Sequence, residues 1–161
     1  MAGPRRRSRE IALQILHQID AGGDADAGDA GAAVTRYFAH LAPDGGPAGD
    51  EEPESDERAG GDRIDRPLIR ELVGGVCAHR AEIDELLAAL SRNWRLERMA
   101  VVERNVIRIA LYELRHSETV PVNVVLNEAV ELAKRYGTAE GAAFVNGLLE
   151  RALTEGVRAK P

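Results

Sequence analysis

The chain is poor in the residues that usually announce an active site. Of its 161 residues one is cysteine, and aromatics make up 4%. The lone Cys77 excludes an intramolecular disulfide framework and fits a reducing compartment. It follows the apolar run Leu72-Val-Gly-Gly-Val76, which favours a buried, inert thiol over a reactive one. No apolar run approaches the roughly 20 residues of a membrane span. The basic start Pro4-Arg-Arg-Arg-Ser-Arg9 is followed by Gln14, His17, Gln18 and Asp20. These interrupt the apolar segment a signal peptide needs, so a soluble, cytoplasmic protein is expected. The four histidines, His17, His40, His79 and His116, lie far apart and lack partners at metal-ligand spacing. No G-x-S-x-G, H-E-x-x-H or phosphate-cradling glycine loop occurs. Glu128 and Glu131 share a helix face without a histidine companion. The expectation is therefore no catalytic residue, no metal, no cofactor and no enzymatic activity.

Ala, Leu, Glu and Arg dominate instead, a composition that favours helices. The length suits one domain with a substantial core. The net charge of −6 is unevenly distributed. Residues 43–63 hold eight acids and two arginines, which is −6 by themselves, whereas residues 64–161 hold fourteen of each sign. The amino terminus carries Arg5, Arg6, Arg7 and Arg9. A low overall pI does not argue against nucleic acid, because binding depends on local patches.

Apolar periodicity predicts seven helices, an all-α fold. The first runs from about Ser8, its expected N-cap, to Asp20, behind a basic arm over residues 1–8. A short second covers Ala33–Leu41. Residues 43–63 are rich in Gly, Pro and acids, and cannot bury enough surface to offset ordering entropy. They read as a disordered loop inserted into a single helical domain spanning residues 9–155, with a tail at 156–161. Asp65 caps a third helix with Pro67 in its first turn. Gly74-Gly75 inside it costs about 1 kcal/mol per glycine relative to alanine, and close approach by a neighbouring helix is the expected return. The fourth helix, Ala81 to about Leu90, carries Ile83, Leu86, Leu87 and Leu90, and Ser91 to Trp94 makes a turn. The fifth, about Glu97–His116, is apolar on adjoining faces, which suggests a central helix with several neighbours. Pro121 precedes the sixth, Val122–Tyr136, which Gly137 ends as a C′ glycine. Glu131 is placed to pair with Arg135. The seventh, about Ala139–Glu155, buries Phe144 or Val145, with Leu148, Leu149 and Ala152.

Three features carry possible recognition chemistry. Arginine neutralises phosphate and stacks on exposed bases, so the basic arm reads either as an RNA contact or as a solvated tail. Asn105, Arg108, Tyr112 and Arg115 form a polar stripe on the fifth helix, an ordinary face or a second contact. Phe144 and Val145 compete for one apolar stripe, so one faces outward, where an exposed ring stacks a base.

The arm Arg5-Arg-Arg-Ser-Arg-Glu-Ile-Ala-Leu-Gln-Ile-Leu16 and three later blocks resemble the NusB transcription antitermination family. The blocks are Ile107-Arg-Ile-Ala-Leu-Tyr-Glu-Leu114, Asn127-Glu-Ala-Val-Glu-Leu-Ala-Lys134 and Phe144-Val-Asn-Gly-Leu-Leu149, with Pro121 and Gly137 between them. The resemblance covers about residues 4–20 and 64–155. It implies an all-helical fold of two small packed bundles. It also implies a complex with NusE, a small-subunit ribosomal protein, on boxA-type single-stranded nascent RNA. That complex joins the RNA polymerase antitermination complex and promotes read-through, notably in ribosomal RNA operons. By position the resemblance puts Arg5, Arg6, Arg7, Arg9, His17, Glu140 and Phe144 on the RNA side, and Glu103 and Arg108 toward the protein partner. His17 departs from the family, which often has tyrosine there. The acidic insert is also unusual, and is expected to fold over the arm and weaken RNA binding at low salt. A homodimer is open for the free protein. The rival readings are a helical adaptor that binds only protein, and an accessory domain like those fused to RNA cytosine methyltransferases.

Overall fold

A computed structural model describes residues 4–22, 30–41, 57–59, 62–91 and 99–157. It is all-helical apart from one short ribbon, and divides into two compact units, residues 1–77 and 78–161. The first unit holds α1 (Pro4–Ala21), α2 (Ala30–Leu41), the strands β1 (Glu57–Ala59) and β2 (Asp62–Ile64), and α3 (Arg66–Ala78). The second holds α4 (Arg80–Leu90), α5 (Val101–His116), α6 (Val122–Tyr136) and α7 (Ala139–Thr154).

In the first unit, α1 begins at Pro4, four residues ahead of the expected start. Proline suits a first helical position, because its missing N–H has no intrahelical partner there in any case. The arginines therefore ride on helix, not on an arm in front of it. Ser8 is buried inside α1 and is not its cap; its Oγ accepts the Asp65 N–H at 2.7 Å. Asp65 Oδ1 in turn accepts the Leu68 N–H at 3.0 Å, capping α3 as the sequence predicts. One short chain of bonds thus ties α1 to the start of α3. The α1 core is Ile11, Ala12, Leu13, Ile15, Leu16 and Ile19. Tyr37 of α2 donates its hydroxyl to Gln14 Oε1 at 2.8 Å, and the Arg66 guanidinium lies 4.3 Å from the Phe38 ring centroid.

The end of the acidic segment departs from the disordered-loop expectation. Residues 57–59 and 62–64 pair as an antiparallel ribbon, Glu57 opposite Ile64 and Ala59 opposite Asp62. Ile64 is buried, and β2 packs against α1. Residues 43–56 of that segment lie outside the described residues, as do the Arg92–Trp94 part of the predicted turn and the first residues of the predicted fifth helix. Around Gly74 a Cβ would meet nothing within 4 Å. Close approach is therefore not the reason for glycine there.

In the second unit, α5 packs against α4, α6 and α7, the central position its broad apolar surface predicts. Ile107 and Leu111 are wholly buried at its middle. Pro121 starts α6 by accepting from the N–H groups of Val124 and Val125. Glu131 pairs with Lys134 at 3.8 Å. Gly156, at φ +83, closes α7 in the left-handed conformation that favours glycine. The Val157 N–H then bonds Ala152 O, and the Gly156 N–H bonds Leu153 O. Among the described residues no helix is long and apolar enough to cross a membrane.

Candidate nucleic-acid interface

On α1 the arginines have unequal fates. Arg5 is exposed, Arg6 and Arg7 are half-buried, and Arg9 is buried at 2% exposure. Arg9, expected on the RNA side with the others, is the one of the four that the fold buries. Arg7 Nη1 donates to Glu10 Oε2 at 3.0 Å. That pair fixes one guanidinium at the surface and satisfies a buried carboxylate. His17 is exposed. It lies eleven residues after Arg6, about three turns, so the two share one side of the helix. The outward side of α1 thus carries Arg6 and His17 in line, with Arg5 at its start and Arg7 beside them.

The other expected site residues belong to the second unit. Glu140 is exposed in the first turn of α7, where a negative charge is favoured by the helix dipole. Phe144 follows one turn later and is half-buried, while Val145 takes the core position. The competition between those two apolar residues is resolved in favour of the smaller, β-branched one.

The polar stripe of α5 faces inward. Asn105, Arg108 and Tyr112 are buried, and only Arg115 of the four is exposed. Arg108, at 3% exposure, was expected to face a protein partner. Its Nε and Nη2 instead grip Asp84 of α4 at 2.7 and 2.9 Å, and Nη1 reaches Asn105 Oδ1 at 2.9 Å. This two-pronged geometry is peculiar to guanidinium. It clamps α4 to α5.

Glu103 was also expected to face the partner. It is buried at 6% exposure, with its carboxylate at the start of α7. The Thr138 N–H points to Glu103 Oε1 at 3.5 Å, and Oε2 has no hydrogen-bond partner among the described residues. Thr138 caps α7, its Oγ1 accepting the Gly141 N–H at 2.9 Å. The positive end of the α7 dipole helps to hold the buried negative charge. Two glycines make room for it. A Cβ on Gly137 would stand 2.7 Å from Glu103 Oε1 and 2.9 Å from Ala133 O. A Cβ on Gly141 would overlap Glu103 Oε1 and lie 2.8 Å from both Cγ and Cδ. Gly137 has φ −114, so it is not the left-handed C′ glycine that sequence suggests. Space for Glu103, not backbone conformation, is what requires glycine there.

The histidines give a further correction. His79, just before α4, and His116, the last residue of α5, stack with ring centroids 4.1 Å apart. Tyr112 stacks on His116 at 5.3 Å. Glu82 lies within 3.4 Å of His79 Nδ1 and 3.8 Å of His116 Nε2. Burial, and secondarily the neighbouring His79, hold the His116 pKa below its ordinary value. Sequence spacing could not reveal this group, because helix packing brings together residues that are remote along the chain.

Fold and surface together define a small all-α protein whose first helix presents a basic face. The NusB family model matches residues 6–154. Transcription antitermination protein NusB of Symbiobacterium thermophilum is 48% identical over 146 residues, covering 90% of this chain and 86% of its own. The protein of the same name from Sorangium cellulosum is 44% identical over 149 residues, covering 92% of this chain and 91% of its own. Among solved structures, that of T. maritima NusB aligns with a TM-score of 0.71 at 29% identity. That alignment covers 98% of this chain and 95% of the other. The chain belongs to the NusB family.

Proposed function

We propose that this chain is a transcription antitermination factor. With NusE it binds boxA-type single-stranded nascent RNA and promotes read-through by RNA polymerase, notably in ribosomal RNA operons. The observation that carries the reading is the family match over residues 6–154, with relatives named for transcription antitermination. The surface chemistry of α1 supports it. Arg5 and Arg6 are placed to neutralise phosphates, and the exposed imidazole of His17 is able to stack on a base. Arg7 contributes charge while held by Glu10. In the second unit Phe144 offers a partly open ring, and Glu140 an exposed carboxylate able to accept from base amino groups. Arg9, Glu103 and Arg108 act beneath the surface as supports. The role is recognition without catalysis.

Binding measured across a salt series tests the phosphate contacts. Each contact to single-stranded RNA contributes about 0.7 to the slope of log affinity against log salt. Replacing both Arg5 and Arg6 by alanine should lower the slope by about 1.4. An unchanged slope removes α1 from the interface.

A further inference from the structure

We propose that His79, Glu82 and His116 form a binding site for one divalent transition-metal ion, zinc foremost. One ligand atom from each residue lies within 4.8 Å of the other two. A tetrahedral zinc ion with bonds of about 2.0–2.1 Å sets its ligands roughly 3.3 Å apart. Each carboxylate oxygen of Glu82 lies near that spacing from one imidazole, Oε2 at 3.4 Å from His79 Nδ1 and Oε1 at 3.8 Å from His116 Nε2. All three side chains are partly open to solvent, at 41%, 42% and 28% exposure. Small rotations therefore suffice to splay the stacked rings around an ion.

The backbone supplies the arrangement. His79 and Glu82 are three residues apart across the first turn of α4, so they point the same way. His116 comes from the far end of α5, and the Arg108–Asp84 clamp fixes those two helices together further along. Two imidazoles and one carboxylate suit zinc, cobalt, nickel or copper better than magnesium or calcium, which prefer all-oxygen shells. Three protein ligands leave a fourth position for water or an external donor. The surrounding charges oppose a cation. Arg115 Nε lies 3.2 Å from Glu82 Oε1, and Arg80 Nε lies 3.8 Å from Asp84 Oδ2 nearby. Binding displaces Arg115 from the carboxylate, so the site binds zinc more weakly than a closed four-ligand structural site.

Zinc titration into the full chain, followed through the imidazole nitrogen signals of its four histidines, tests the site. Saturable changes at His79 and His116 with one equivalent, while His17 and His40 stay unchanged, are expected. Glu82→Gln and His116→Gln should each weaken zinc binding about tenfold or more. Arg115→Gln should strengthen it, an effect that a purely structural histidine–glutamate cluster does not produce. Thermal unfolding gives a second readout: zinc should raise the midpoint of the parent chain and leave that of His116→Gln unmoved. Zinc changes centred on His17 or His40 overturn the proposal. So does Glu82→Gln binding zinc as well as the parent, or no saturable binding at millimolar zinc.

Discussion

Replacing Gly141 by alanine probes the packing beneath the start of α7. In an unconstrained helix the change should stabilise by about 0.8–1.0 kcal/mol, because alanine surrenders less backbone entropy. Here the new Cβ overlaps Glu103 Oε1 and presses on Cγ and Cδ at 2.8 Å. Yielding at the carboxylate tip is not enough, because the middle of the side chain is struck too. Glu103 is also buried, so it has no solvent to swing into. Overpacking of this kind costs about 1–3 kcal/mol, which leaves Gly141→Ala between neutral and roughly 2 kcal/mol destabilising. In a Glu103→Ala background the obstruction is gone, and the same substitution should become neutral or stabilising. The double-mutant cycle, read by equilibrium urea unfolding, should therefore give a coupling energy of about 1–3 kcal/mol. Additivity within about 0.5 kcal/mol would refute the claim that these glycines exist to accommodate the buried carboxylate.

Other outcomes follow from the same structure. Arg108→Met removes the two-pronged grip on Asp84 and the bond to Asn105 Oδ1; with Asp84 23% exposed and still 3.8 Å from Arg80, the loss in urea unfolding should be about 1.5–3 kcal/mol. Arg108→Lys should recover less than half of that, since an ammonium cannot grip both carboxylate oxygens; full recovery would remove the fork from the argument. Burial raises the Tyr37 pKa above 10.0, although Arg7 pulls it down. A folded state that holds its proton more tightly contributes stability that is complete below pH 10 and is lost as pH rises through the folded-state pKa. Tyr37→Phe should flatten that alkaline loss in unfolding experiments, at a cost of about 1 kcal/mol at neutral pH for the hydroxyl bond to Gln14.

Local signals were the legible ones. Pro121 marks the start of α6 and the predicted span Val122–Tyr136 matches the helix, because proline and apolar periodicity act within a few residues. Leu148, Leu149 and Ala152 of the α7 core follow from the same periodicity, which left Phe144 and Val145 as alternatives. The start of α1 was hidden because consecutive arginines read as a solvated tail, although Arg9 and Glu10 are buried. The polar stripe on α5 was legible as a stripe, but its direction was not. An arginine faces inward only when a partner waits, and Asp84 lies 24 residues away. Glu103 beneath Gly141 and His79 against His116 are pairings of the same long-range kind. Periodicity reports which residues share a helix face; which face meets which neighbour is decided by packing.

The proposed function has RNA recognised through the basic side of α1 in company with NusE. A gel-shift titration of boxA RNA, with and without NusE, tests it most directly when run beside the Arg5→Ala/Arg6→Ala variant. The expected result is a specific shift that tightens when NusE is present and weakens in the variant while NusE binding persists. A chain that binds NusE but leaves the RNA unshifted, with or without the arginines, would contradict it and mark the protein as an adaptor for protein alone.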